Sequence, residues 1–169
     1  MTQATDIAIV SGARTPMGRY CGKLRDFTAM DLAAVASHEA IKRSGVDPKE
    51  FDHAVFGNAQ QTSGDSLYGA RHVALKAGLP IETPALTVNR LCGSGMQSLV
   101  NAAQMIQLGE AKTVLAGGME ASGQQCESLL GTALDTCERY FTAFQFVVWA
   151  GKSAKEALDA AMFETSGEA

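Results

Sequence analysis

The residues best suited to chemistry stand together in the segment Leu86-Thr87-Val88-Asn89-Arg90-Leu91-Cys92-Gly93-Ser94-Gly95-Met96. An apolar, β-branched run ends in a cysteine. A Gly-Ser-Gly triplet follows, and helical periodicity begins at Met96. This pattern predicts a strand, a sharp turn and a helix. It puts the Cys92 thiol at the end of a buried strand and at a helix N-terminus. There the unpaired N–H groups of the first turn favour the thiolate, which is the nucleophilic form. A nucleophile so placed suits covalent acyl chemistry. Gly93 and Gly95 would let a reactant approach the backbone closely. With Met119 they are the candidate substrate contacts.

Other reactive side chains make weaker candidates. Asn89 is expected to support the turn by hydrogen bonding rather than to react. Arg14 and Arg25 are cations near the start of the chain, and a role for them on phosphates is not expected. His38 and His72 fall within predicted helices and read as surface or packing residues. Cys21, Cys126 and Cys137 form no Cys-x-x-Cys and no zinc-ligand spacing. Cys126 and Cys137 are therefore expected to be inert thiols.

The elements that must position Cys92 alternate along the chain. Ile7-Ala8-Ile9-Val10 is a short β-type run. Thr28 to Asp31 can start a helix, and Leu32, Val35, Ala36, Ala40 and Ile41 recur at helical spacing as far as Gly45. Ala54 to Phe56 is a second strand, 66–77 a second helix, and Leu86 to Asn89 a third strand. Met96 to Leu108 is a third helix, and Thr113 to Ala116 a fourth strand closed by Gly117-Gly118. This alternation predicts an α/β fold with a mostly parallel sheet covered by helices. Reactive groups in such sheets gather at the carboxyl ends of the strands, where Cys92 falls. Beyond Glu120 the rhythm breaks. Residues 124–139 and 152–163 read as helical, and Tyr140 to Trp149 as either strand or buried helix.

Composition narrows the function. The 169 residues are 46% hydrophobic and 19% charged, ordinary for a globular chain. The net charge of −4 gives no basic field, so nucleic acid is not an expected partner. The charge is uneven. Residues 1–119 carry 11 basic and 10 acidic side chains, against 3 and 8 in 120–169. No apolar run reaches the ~18 residues that span a membrane, so no membrane partner is expected. The first residues lack a basic n-region and an apolar h-region, which makes a cytoplasmic location the expectation.

Several segments also carry a resemblance. Val88 to Leu99, with Ile106 beyond, closely resembles the acyl-enzyme signature of the thiolases, in the acetyl-CoA acetyltransferase and 3-ketoacyl-CoA thiolase group. Arg14-Thr15-Pro16-Met17-Gly18 with Gly22-Lys23-Leu24, Phe56-Gly57-Asn58, Ala70-Arg71 with Ala77-Gly78, and Gly117-Gly118-Met119-Glu120 fit the same family in order. The resemblance implies that residues 1–122 are a thiolase N-terminal portion and that 123–169 form an atypical helical tail outside it. It also implies half of a five-layer αβαβα arrangement. Cys92 would be the nucleophile that carries the acyl thioester, with its backbone N–H in an oxyanion hole. Acetyl-CoA, 3-ketoacyl-CoA and coenzyme A would be substrates, with no bound cofactor or metal, in a homodimer or tetramer. In the family the second half adds a Gly-His-Pro histidine, an asparagine and a second cysteine. None of His38, His53 and His72 lies in a Gly-His-Pro. The alternative reading is a catalytically incomplete fragment that acts as an interaction or dimerisation module.

Overall fold

In the computed structural model, residues 7–18, 22–121 and 142–150 are described, the last as backbone. Five strands form one sheet: β1 (Ile7–Arg14), β2 (His53–Gly57), β3 (Ala85–Val88), β4 (Thr113–Glu120) and β5 (Thr142–Ala150). Their order is β1-β5-β4-β2-β3. β2 pairs in parallel with both β3 and β4, as the strand–helix–strand rhythm requires. β5 enters antiparallel between β1 and β4. The α/β class therefore holds, with an antiparallel strand set into the sheet.

Three helices cover the sheet: α1 (Ala29–Ser44), α2 (Gly69–Lys76) and α3 (Ser94–Gln107). α1 starts at a capping box, in which the Thr28 hydroxyl accepts from the Asp31 N–H at 3.0 Å and the Asp31 carboxylate accepts from Thr28. It stops at Gly45, whose φ of 68° favours glycine. The period of two along the strands sorts the core into two layers. Ala54, Phe56, Leu115 and Met119 join α1 and α2 in the larger cluster. Val55, Val114 and Ala116 join Ala102 and Ile106 of α3 in the smaller one.

Two sequence readings change, and one left open is decided. Gly117 and Gly118 do not close β4. They lie within it, opposite Phe56 and Gly57 of β2. Residues 142–150 are a strand, the first of the two readings of Tyr140 to Trp149, so the expected helical tail holds a strand. The run Thr-Ala-Phe-Gln-Phe-Val-Val-Trp-Ala is rich in β-branched and aromatic residues, which suit a sheet. The strand before Cys92 is an edge strand, only partly buried, rather than a fully covered one. Cys21, Cys126, Cys137 and the helices expected over 124–139 and 152–163 lie outside the described residues.

Candidate active site at the carboxyl ends of β2, β3 and β4

Cys92 is exposed, with its thiol free. It lies four residues beyond β3 and two before the first residue of α3. The turn that presents it is built by short-range hydrogen bonds. The Gly93 N–H donates to Arg90 O at 3.1 Å, and the Ser94 N–H to Leu91 O at 3.0 Å. The Ser94 side chain is buried and works twice. Its Oγ accepts the Arg90 N–H at 2.8 Å and donates to Leu91 O at 2.6 Å. Within this turn Leu91 has φ 50°, and it is the one non-glycine residue with positive φ among those described. A bulky side chain there costs on the order of 1–2 kcal/mol. The surroundings must hold it in place. The Leu91 side chain is 74% exposed, so its own packing does not.

Asn89 does part of the holding. Its Oδ1 accepts the Leu91 N–H at 3.0 Å, and its Nδ2 donates to Ala59 O at 3.1 Å. The loop after β2 is thereby tied to the turn that carries Cys92. Asn58 fixes the start of that loop. Its backbone N–H reaches Val88 O at 3.0 Å, and its Nδ2 reaches Met119 O at 2.9 Å. Asn58 is 1% exposed, a core residue rather than a loop tip.

Glycines fix the height of the turn above the sheet. Gly57 and Gly118 are register partners on the α3 face. A Cβ on Gly57 would lie 2.3 Å from the Ser94 carbonyl carbon, and one on Gly118 would lie 3.0 Å from Gly95 Cα. The first turn of α3 therefore rests on bare backbone. Gly95, expected as a substrate contact, faces Gly118, and its close approach is to β4. Gly93 is the residue before the first helical position, with open room beside it apart from Arg90 O. Met119 is 3% exposed and its side chain belongs to the α1/α2 core, with Cε against Gly69. The geometry offers no direct substrate contact from that side chain. Its backbone carbonyl, bonded to Asn58, is what joins it to the site.

Glu120, at the end of β4, was not singled out from sequence. Its Oε2 accepts the Ala59 N–H at 3.1 Å and its Oε1 the Gln60 N–H at 3.0 Å. Burial pushes this carboxyl up from the ordinary carboxylate range, against the pull of the two N–H donors. The histidines engage elsewhere. His72 Nδ1 lies 3.0 Å from Asp65 Oδ2, His53 Nδ1 lies 3.1 Å from Ala54 O, and His38 is exposed on α1. Arg25 is exposed beside Asp26. Among the described residues, no group of His, Cys, Asp and Glu could hold a metal ion.

A strand, a strained turn with a free thiol, and a helix seated on glycines together define a class of site: an exposed cysteine at the carboxyl edge of an α/β sheet. The thiolase N-terminal domain family model matches residues 7–134. The chain belongs to the thiolase family. It is 50% identical over 118 residues to human mitochondrial 3-ketoacyl-CoA thiolase, covering 70% of this chain and 30% of that protein. It is 42% identical over 116 residues to an acetyl-CoA acetyltransferase of Cupriavidus necator, covering 69% of this chain and 29% of the relative. The crystal structure of the human enzyme in complex with CoA superposes with a TM-score of 0.69 and 45% identity, covering 79% of this chain and 35% of that one. The chain thus spans about a third of the length of the relatives it matches.

Proposed function

We propose that this chain carries the nucleophile-bearing part of a thiolase-type acyltransferase acting on coenzyme A thioesters. The observation that carries the reading is the exposed Cys92 thiol, on a turn held in a costly backbone conformation before α3. In the proposed reaction the Cys92 thiolate adds to the carbonyl of an acyl-CoA. The backbone N–H of Cys92 donates to the resulting oxyanion. The tetrahedral centre collapses, the acyl–sulfur bond to coenzyme A breaks, and the CoA thiolate takes a proton as it leaves. With a 3-ketoacyl-CoA, addition occurs at the 3-keto carbon. The carbon–carbon bond then breaks, and the departing acetyl-CoA enolate is protonated. Coenzyme A, or the enolate of acetyl-CoA, takes the acyl group from Cys92 in the second half-reaction, so the kinetics are ping-pong.

Turnover also needs a base for the nucleophile and an acid for the leaving carbon. In the thiolase pattern these come from the second half. The reading therefore assigns the first acylation to this part of the protein. The test is release of coenzyme A from acetyl-CoA, followed chromatographically, with Cys92→Ser as control. One equivalent of coenzyme A per chain that disappears in the variant is expected. Equal release from both proteins would remove Cys92 from the role.

A second reading, an interaction or dimerisation module, draws on one observation. β3 is an edge strand of this sheet, and Leu86 on it and Leu67, Tyr68 and Ile81 nearby in sequence are exposed. Sedimentation of the chain separates the readings: a monomer at high concentration counts against the module.

A further inference from the structure

The nucleophile turn is also held from a distance, through a relay that starts at the end of β4. Both oxygens of the Glu120 carboxylate accept backbone N–H groups, from Ala59 and Gln60. The next carbonyl in that loop, Ala59 O, accepts from Asn89 Nδ2. Asn89 Oδ1 accepts from the N–H of Leu91, the positive-φ residue that precedes Cys92. Thr62 Oγ1, which donates to Ala121 O at 3.0 Å, ties the same loop to the chain just beyond Glu120.

The chemistry of this relay requires a carboxylate. Both partners of the side chain are donors, so both of its terminal atoms must be acceptors. A glutamine would turn an NH2 towards one N–H, donor against donor. Glu120 is half-buried, so the lost bond would not be replaced freely by water.

The fold supplies its own control at the opposite end of the same strand pair. Asp52, just before β2, accepts the N–H groups of Lys112 and Thr113 at 2.7 and 3.1 Å as β4 begins. It closes the β2–β4 pair at the amino end of β4 through a single carboxylate oxygen, Oδ2, and among the described residues no cysteine stands there.

We propose that Glu120 is a positioning residue for Cys92: through the 58–62 loop and Asn89 it sets the left-handed conformation of Leu91 and thereby the aim of the thiol. The inference rests on Cys92 as the acyl acceptor of the proposed function. Glu120 touches neither the thiol nor the acyl group in this account. It acts through backbone amides alone.

The experiment compares Glu120→Gln and Asp52→Ala with the parent chain; alanine is used at Asp52 because both N–H groups there go to Oδ2, and an asparagine's amide oxygen would still accept them. It records the melting temperature and the rates at which Cys92 is acylated by acetyl-CoA and alkylated by iodoacetamide. Peptide mass keeps Cys92 apart from the other cysteines. Both variants should lose stability, since each removes a hydrogen bond to a backbone N–H. Glu120→Gln should slow both Cys92 reactions by about tenfold or more, the scale on which misplaced reacting groups lose rate. Asp52→Ala should leave them within about twofold of the parent, as sites that share no partners act independently. A merely structural role for Glu120 gives equal rates in the two variants, and that result overturns the proposal. If Glu120→Gln does not fold, Asn89→Ala cuts the relay one link later and must reproduce the slow reactions. If both fold, adding Glu120→Gln to Asn89→Ala must bring no further slowing, and additive slowing refutes the relay. If the parent chain takes no acyl group, the acyl-acceptor reading fails. The alkylation rates then decide on Glu120 by the same criterion.

Discussion

The two ends of the β2–β4 pair are closed alike and used differently. At one end the Asp52 carboxylate collects two backbone N–H groups as β4 starts. At the other the Glu120 carboxylate collects two from the loop after β2. The first clasp holds strands in register. The second stands under a strained turn, a seated helix and an exposed cysteine. The difference lies in what the strands carry where they finish. β2 and β4 both reach their carboxyl ends with glycine in register, Gly57 beside Gly118, so a helix can start in contact with backbone. Fold and reactivity share this end of the sheet, and substitutions there should change both together. Substitutions elsewhere should change stability alone.

The largest effect is expected at Gly57. Gly57→Ala would place a methyl 2.3 Å from the backbone of Ser94, and backbone cannot swing away as a side chain can. We expect a loss of about 3 kcal/mol or more in denaturant unfolding, together with slowed alkylation of Cys92. A well-folded, fully reactive Gly57→Ala would break the claim that glycine sets the height of α3. Next is Ser94→Ala. It removes the acceptor for Arg90 N–H and the donor to Leu91 O, at about 2 kcal/mol for the two bonds together. It too should slow Cys92 chemistry.

Thr28→Ala sharpens the contrast from the far side of the fold. It removes the cap of α1 at a cost of about 1 kcal/mol, and the reactivity of Cys92 should not move. The same cap gives a pH dependence. Asp31 sits below its ordinary 3.8, first through its bond to Lys76 and then through Thr28. Its contribution is therefore complete above that value and is lost as the pH falls through it towards the lower folded value. An acid titration of the melting temperature should show a steeper decline for the parent than for Asp31→Asn over that window. The smallest effect is expected at Gly69. A Cβ there meets Met119 Cε at 2.6 Å, the far end of a flexible side chain. Gly69 is helical, so the gain in helix propensity of about 1 kcal/mol offsets the repacking, and Gly69→Ala should melt near the parent.

How much of this was legible in the sequence depended on how local each cause is. The capped start of α1 at Thr28 and Asp31, its stop at Gly45, and the strand–cysteine–glycine–helix pattern around Cys92 are written within a few residues each. The expectation that Asn89 supports the turn matches its two bonds. Non-local causes were hidden. Gly117-Gly118 read as a strand breaker because glycine usually is one. Here the pair continues β4, because Gly118 is where α3 approaches and a side chain would obstruct it. The antiparallel entry of β5 between β1 and β4 depends on pairings more than a hundred residues apart along the β1 side. Leu91 carries no sequence sign of a positive φ, since leucine is a poor choice for it. In the sequence Glu120 stands only as the end of a glycine-rich strand. Its partners Ala59 and Gln60 lie sixty residues earlier, joined to it by the β2–β4 register.

The most direct test of the central claim is peptide mapping of the folded chain after incubation with acetyl-CoA. We expect a single acetyl group, labile to hydroxylamine as a thioester is, on the peptide that contains Cys92 and on no other cysteine peptide. A chain that melts cooperatively yet leaves Cys92 unmodified, or that acetylates its cysteines without preference, would contradict the account that this end of the sheet is built to present that thiol.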